Sequence, residues 1–364
     1  MKRITCLTIS IFILVVLGIW FINVKEENTD VTQTKTKVGC VLIGSIDDNS
    51  WTESHYIALQ KCAETLNLEM IYRQNVVDDD SSTGVMEELI AEGCEVIICN
   101  SYGYGPYELQ IAEKHPDVKF LHASGIETSE NLGTYFGRIY QMRYLSGIVA
   151  GLQTKTNKIG YVAAFPLPEV NRGINAFMMG VRSVNPNAKV YVTFSDSWTD
   201  YEQNANATRA LIAKHDLDVI TLHADANATL DIAEEKGIWS IGYNLDNTEN
   251  YPNTFLTAPI WQWEKYYESY ILKCLQDKHI GIDYWEGAET GVVSLAPLTK
   301  HVDKNAAAQV NRELHKMQTE YYDVFYGPIK DNKGALRVRE GEKMSDAALR
   351  ELFDWYVEGV VIDE

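Results

Sequence analysis

Short runs rich in valine and isoleucine alternate with helix-spaced apolar patterns between residues 37 and 242, and that alternation limits what the chain can fold into. The runs are KVGCVLIG (37–44), LEMIY (68–72), CEVIIC (94–99) and VKFLHA (118–123), then KIGYVAA (158–164), KVYVTF (189–194), LDVITLHA (217–224) and IWSIG (238–242). Continuous apolar runs mark strands covered on both faces, as in a parallel sheet. Helical patterns lie between them, at 53–66, 85–92, 106–114, 140–153, 171–184, 201–214 and 228–236. Strand–helix alternation with short links builds βαβ units with right-handed crossovers. The layout restarts near residue 158, which predicts an α/β fold of two doubly wound parallel-sheet lobes. Ligands of such sheets bind at the carboxyl ends of the strands. The expected site is therefore the cleft between the lobes.

The flanks complete the plan. Residues 6–22 form a 17-residue stretch without a charge, behind Lys2 and Arg3. That length fits a long signal sequence or a short membrane span, and the two cations predict that everything after it is translocated. Trp20, Phe21 and Ile22 stand where a cleavage site would need small residues, and no cysteine follows closely enough for lipid attachment. The stretch to residue 24 reads as an uncleaved anchor, with secretion as the alternative, and residues 25–36 read as a flexible tether. The first lobe is expected over 37–150, with a later returning segment near 255–300, and the second over 151–254. Residues 301–364 read as helices and a hairpin packed on the lobes. Just upstream, GVVSLAPL (291–298) predicts a returning strand, and within them 302–317 predicts a helix and 327–342 a hairpin. Ser345 caps a last helix over 346–357.

Composition narrows the function. With 46% hydrophobic residues the chain can bury a sizeable core, and a formal charge of −19 argues against a nucleic-acid partner. The five cysteines beyond the anchor sit in strand and helix patterns without metal spacing, so they read as buried thiols. No G-x-G-x-x-G, G-x-x-x-x-G-K-[ST] or G-x-S-x-G is present, so neither a cofactor nor a catalytic nucleophile is expected. The Asp47–Asp48 and Asp78–Asp79–Asp80 runs read as solvated loops, and Glu53 and Glu169 as surface helix starts that could also read a ligand edge. His122 and His223 end equivalent strands in FLHA and TLHA, either facing the cleft or closing strand ends.

Strand ends are instead rich in aromatic and small polar residues. SIDDNSWTES offers Trp51 and Thr52, and NSYGYGPY offers Tyr102. The second half contributes Trp198 in FSDSWTD, Asp225 in HADAN, Asn244 and Asp246 in GYNLDN, and Trp261 in TAPIWQWEKYY. Flat rings on both walls of a cleft would sandwich a planar ligand while amides and carboxylates bond its edges, although sugars stack on tryptophan too.

These motifs, in this order, resemble the basic membrane protein family, the substrate-binding proteins of ABC importers related to the bacterial purine nucleoside receptor. The resemblance runs through NLGTYFGRIYQMRYLSGIVAGLQTKTNKIGYVAA, PEVNRGINAFMMGVRSVNP, FSDSWTD, GIWSIGYNLDN and TFLTAPIWQWEKYY. The tail FYGPIKDNKGALRVREGEKMSDAALRELFDWYVEGVV is similar to a subgroup with an extended C-terminus. The resemblance implies a two-lobed fold of the type I periplasmic-binding-protein kind and a base held between one aromatic from each lobe, here Trp51 and Trp198. It implies ligand contact by Asp246, with Asn244 where the family has another aspartate. Two groups that grip ribose in the family are replaced here, an aspartate by Ala123 or Ser124 and a lysine by Trp261. That points to a free purine base such as adenine over a nucleoside. The implied partners are an ABC permease and a small-molecule purine, with the protein a monomer outside the membrane. A sensor reporting to a signalling partner, or a receptor for a sugar, is the alternative.

Overall fold

Backbone pairing turns the alternation into two six-stranded sheets. The computed structural model describes residues 35–320 and 323–363. The chain begins with β1 (Lys37–Val41), α1 (Trp51–Leu66), β2 (Glu69–Arg73), α2 (Ser82–Ala91), β3 (Cys94–Cys99), α3 (Gly105–Lys114), β4 (Lys119–Ala123) and β5 (Leu132–Gly137). It continues through α4 (Tyr140–Gln153), β6 (Lys158–Ala163), α5 (Pro168–Val184), β7 (Lys189–Phe194), α6 (Tyr201–Lys214), β8 (Val219–His223), α7 (Ala228–Lys236), β9 (Trp239–Ile241) and β10 (Phe255–Thr257). Then come β11 (Pro259–Trp261), α8 (Glu264–Leu275), β12 (Asp283–Glu286), β13 (Val293–Leu295) and α9 (Lys304–Thr319). The chain closes with β14 (Ile329–Lys330), β15 (Leu336–Val338), α10 (Asp346–Glu351) and β16 (Val360–Ile362).

The first sheet has the order β12-β5-β4-β3-β1-β2 and the second β10-β9-β8-β6-β7-β16, with every neighbouring pair parallel. This is the expected pair of doubly wound lobes. Between them, β11 and β13 pair antiparallel as a two-stranded ribbon. The chain changes lobe at residues 138–139, again along β11, and again between β12 and β13. The five described cysteines are free and buried, as their strand and helix settings suggested. Among the described residues no helix is long and apolar enough to cross a membrane, and the expected anchor at 6–22 lies outside the described residues.

The end of the chain differs from expectation. Ser345 does cap a helix, its hydroxyl accepting from the Ala348 amide, but the helix stops at Glu351 instead of running to 357. Apolar residues spaced like a helix face there do another job. Phe353 and Trp355 give their carbonyls to the side chains of Asn171 and Asn175 on α5, and β16 then adds a parallel edge to β7. Tertiary partners captured the backbone groups that a longer helix would have paired internally.

Two packing features fix the frame. Helices α4 and α5 meet almost backbone to backbone: a Cβ on Gly180 would stand 2.0 Å from the Tyr144 carbonyl oxygen, and one on Gly147 2.1 Å from that of Phe177. Beside the ribbon lies an aromatic seam. The His55 ring stacks on Trp263 at 4.8 Å, Tyr135 stacks on Tyr266 at 4.2 Å, and the Tyr267 hydroxyl meets both His55 Nδ1 and the Tyr135 hydroxyl at 2.6 Å. Burial without a charged partner pushes His55 down to about 3.

Gly180→Ala is expected to cost about 3 kcal/mol because neither helix axis can move without disturbing the other, and a urea midpoint equal to wild type would refute that. For His55 the sign follows from linkage. Above about pH 6.5 neither the folded nor the unfolded state holds the proton; below it the unfolded state takes the proton up and the folded state does not until about pH 3. Stability therefore falls with pH across that window. His55→Gln should show a shallower fall than wild type between pH 6 and 4, by up to about 1.4 kcal/mol per pH unit. Parallel curves would mean that His55 titrates like a free histidine.

Candidate functional site between the lobes

The carboxyl ends of β1 and β3 build the first wall. After β1 the chain turns through Asn49, at φ 53°, into α1. Asp48 accepts the amides of Ser50, Thr52 and Glu53 at 2.8, 2.9 and 3.0 Å, while Glu53 accepts that of Asn49 at 2.8 Å. These reciprocal bonds satisfy the helix start, and the acid favours its positive end. Asp48 is thus half-buried and bonded, not a solvated loop residue like the exposed Asp47. Trp51 opens α1 and donates its indole N–H to the Asn100 carbonyl at 2.7 Å; Asn100 in turn accepts the Ile43 amide. The Trp51 ring stands edge-on to Trp261 and to Trp263, each at 5.8 Å.

The second wall comes from the ends of β6 to β9. Trp198 is half-buried beside Phe165 at 6.0 Å and His223 at 6.1 Å, and its carbonyl accepts the Asp225 and Ala226 amides. His223 Nε2 lies 3.1 Å from Glu169, and Nδ1 lies 3.1 Å from the Tyr161 hydroxyl. Burial, then the Arg143 charge, hold His223 down near 4. It is neutral at pH 7, so it offers Glu169 an N–H and takes the Tyr161 O–H. Burial opposes the Glu169 charge, but the His223 bond and the guanidinium groups of Arg172 and Arg143 outweigh it and keep this carboxyl below its usual range.

The walls touch through asparagines. Asn244 is fully buried at φ 69°, and its amide nitrogen donates to the Ser50 hydroxyl of the first lobe and to Asp225 of the second, both at 3.0 Å. Its oxygen accepts the Trp261 indole N–H at 2.9 Å. Asn227 and Asn247 both donate to the Asn49 carbonyl, at 3.1 and 3.2 Å. Together these bonds hold the lobes against each other.

Next to them lies a cavity of about 540 Å³. Ile43, Gly44, Ser45, Asp48, Asn49 and Asn75 line it from the first lobe; Thr199, Tyr201, Asp225, Ala226, Asn227, Asp231, Asn250 and Tyr251 line it from the second. Its lining has three carboxylates and no lysine or arginine. Burial raises the Asp225 carboxyl well above its usual range, and Asp48 across the cavity adds to that. Asp231 accepts both tyrosine hydroxyls, from Tyr201 at 2.9 Å and Tyr251 at 3.0 Å. Such a lining offers hydrogen-bond acceptors to an uncharged or cationic ligand and repels an anionic one. Among the described residues no cluster of three or more His, Cys, Asp or Glu is placed to hold a metal.

The nine residues singled out in the sequence occupy different places. Asp225 lines the cavity. Trp51, Asn244 and Trp261 join it through one continuous contact chain, Trp261 being buried against Trp263 at 4.3 Å. Thr52 is buried in the first turn of α1, and Trp198 stands beside the cavity-lining Thr199. Tyr102 is 64% exposed, Ser124 is held at φ 62° with its amide on the Tyr135 carbonyl, and Asp246 is exposed and turned onto Thr248. Asp48, Asn49, Asn227, Asp231 and Tyr251 were passed over. The D-N-S-x-T-E cap pattern could have flagged Asp48; a scattered Asp231 and Tyr251 carry no signal until the chain is folded.

Comparison with known proteins fits this geometry. Residues 35–331 match the family model of PnrA-like ABC transporter substrate-binding proteins. The chain is 34% identical to a purine-binding protein of Brucella abortus (strain 2308), over 90% of this chain and 93% of that one. It is 36% identical to a Haloferax volcanii protein with the provisional name ABC transporter glucose-binding protein, over 88% of this chain and 79% of that one. An ABC transporter solute-binding protein from Conexibacter woesei has the same fold at 19% identity, with a TM-score of 0.67 over 79% of this chain and 98% of that one. A match over most of the length places this chain, with its two parallel-sheet lobes, in the PnrA-like family of ABC transporter substrate-binding proteins, which are extracytoplasmic solute binders.

Proposed function

We propose that the protein captures a free purine base, adenine or a relative, between its lobes and delivers it to an ABC permease. The observation that carries this reading is the inter-lobe cavity, rich in acceptors and free of basic side chains; in this reading Trp51 of one lobe and Trp198 of the other supply the stacking faces. Purine N–H groups suit the Asp225 and Asn acceptors, and an indole face suits the ring. The purine-binding relative supports the same choice. A base is favoured over a nucleoside because Trp261 stands where the family's ribose-gripping lysine would, and its indole N–H is spent on Asn244. Tyr102, Ser124 and Asp246 join the site in an open arrangement, and the segment at 6–22 tethers the monomer outside the membrane.

Capture works by closure. A ligand shifts the lobes together only as far as it binds the closed form better than the open one. A sugar is the second reading. It is favoured by the density of Asp and Asn around two tyrosines in the cavity and by the relative named for glucose.

A thermal melt of the full chain against adenine, adenosine and glucose separates these readings. Adenine at 100 times its Kd should stabilise the folded state by about 2.7 kcal/mol. Trp198→Ala should weaken adenine binding roughly ten- to a hundredfold, the range of one lost base–aromatic stack. A melt raised by glucose alone would replace the purine reading with the sugar one.

A further inference from the structure

The family match ends at residue 331, yet the chain beyond it is built into both lobes. On the second lobe the tail is buried. The Arg172 guanidinium donates to the Leu349 carbonyl at 2.7 Å, Asn175 bonds Trp355 and Val357, and β16 completes the sheet edge next to β7. From that footing α10 reaches back to the first lobe. Asp346, in its first turn, takes a two-pronged bond from Arg138, at 3.0 and 2.8 Å. Arg350, at its other end, makes a two-pronged pair with Asp283 on β12 of the first sheet.

Arg138 sits where the chain first changes lobe, and Asp283 opens β12, the strand paired with β5 next to that crossing. Arg138 follows β5 directly, and its amide donates to the Glu286 carbonyl at the end of β12. Between the two ion pairs stands Trp285, with the guanidinium carbons of Arg138, Arg350 and Arg172 at 4.1, 5.2 and 5.4 Å from its ring centre. Arg172 belongs to the second lobe, Trp285 to the first, and Arg350 to the tail. Three covalent crossings link the lobes; the tail adds a fourth, non-covalent link at the same seam.

We propose that residues 332–363 act as a strap across the hinge, whose ion pairs from Asp346 and Arg350 to the first lobe favour the closed arrangement of the lobes. The pairs coexist with the cross-lobe bonds of Asn227, Asn244 and Asn247, so they are formed when the cleft is shut. Swinging the first lobe away from α10 must stretch them, because the tail's other contacts hold it to the second lobe. Arg138 and Arg350 are largely buried, whereas Asp346 and Asp283 stand in solvent, so salt reaches both pairs and screens them. The strap rests on the lobes closing on a ligand, whatever that ligand is.

The test reads closure directly. One dye on each lobe of the full chain, at the exposed Glu127 and Glu202 and attached by non-thiol chemistry, reports the closed fraction by energy transfer. Asp346→Ala combined with Arg350→Ala should shift the ligand-free closed-to-open ratio roughly three- to tenfold toward open. High salt should do the same to wild type and little to the variant. Exchanging charges, Asp283→Arg with Arg350→Asp, should return part of the closed fraction to an Arg350→Asp single variant. Because no ligand is needed, failure here is separate from failure of the purine assignment. An unchanged ratio in a variant whose urea midpoint shows it folded, or a wild-type ratio indifferent to salt, overturns the strap.

Discussion

One buried amide joins the parts that must move together. Asn244 bonds the first-lobe loop through Ser50, the second-lobe strand end through Asp225, and the crossover ribbon through Trp261. It is held at φ 69°, a left-handed backbone that asparagine tolerates better than most residues. Its amide N–H groups and its oxygen are all used in the closed arrangement, and opening the lobes strips the bond to Ser50. A buried amide left short of a partner costs more than a bond between neutral groups gains. Asn244 thus makes the closed cleft a defined state, with the position of the ribbon and of Asp225 fixed by the same side chain.

Charge works against that closure. Asp48 and Asp225 come from opposite lobes and line the same cavity; burial raises the Asp225 carboxyl first, and the nearby Asp48 charge raises it further. Asp48 is partly compensated by three backbone amides at the start of α1, whereas Asp225 has the Asn244 amide. A ligand that inserts N–H or O–H groups between them relieves the repulsion, and an anion would deepen it. The buried His223, Arg172 and Arg143, with the half-buried Glu169, lie behind the second wall. There Arg143 sits 3.8 Å over the Tyr243 ring and holds the Leu222 carbonyl, so the strand end that carries Asp225 is braced from below.

How much of this could be read in the sequence depended on how local the cause was. Strands β3 and β7 have the bounds their apolar runs gave, because a strand covered on both faces writes its burial into consecutive residues. Strand β5, LGTYFG, escaped notice: two glycines and a threonine dilute the run, and Gly133 and Gly137 are there because the Ile280 carbonyl crowds the first and Val293 and Trp261 the second. The helix expected over 346–357 had the right spacing and the right cap, but carbonyls at Phe353 and Trp355 found asparagine partners on α5, a choice no local pattern can show. In the site, tryptophans announced themselves, but of the three cavity acids only Asp225 did. Trp261 and Trp263 proved to stack on each other in the core, while Asp48, Asp231 and Tyr251 met only because two loops and the first turn of α7 converge.

The balance between these forces sets what a ligand has to contribute. Cross-lobe asparagine bonds and the tail's ion pairs favour the shut cleft; the Asp48–Asp225 approach and the hydration of an open, acidic cleft favour the other state. When such terms nearly cancel, a small differential affinity moves the population far, since a shift from 1:99 to 99:1 takes only about 5.5 kcal/mol. A tail that adds to the closing side lowers the ligand's share, so weaker or smaller ligands, such as a base without its ribose, can still shut the lobes. The same contribution narrows the difference between empty and loaded forms that a permease has to read. Asp346 and Arg350 therefore stand where affinity and discrimination between those forms trade against each other.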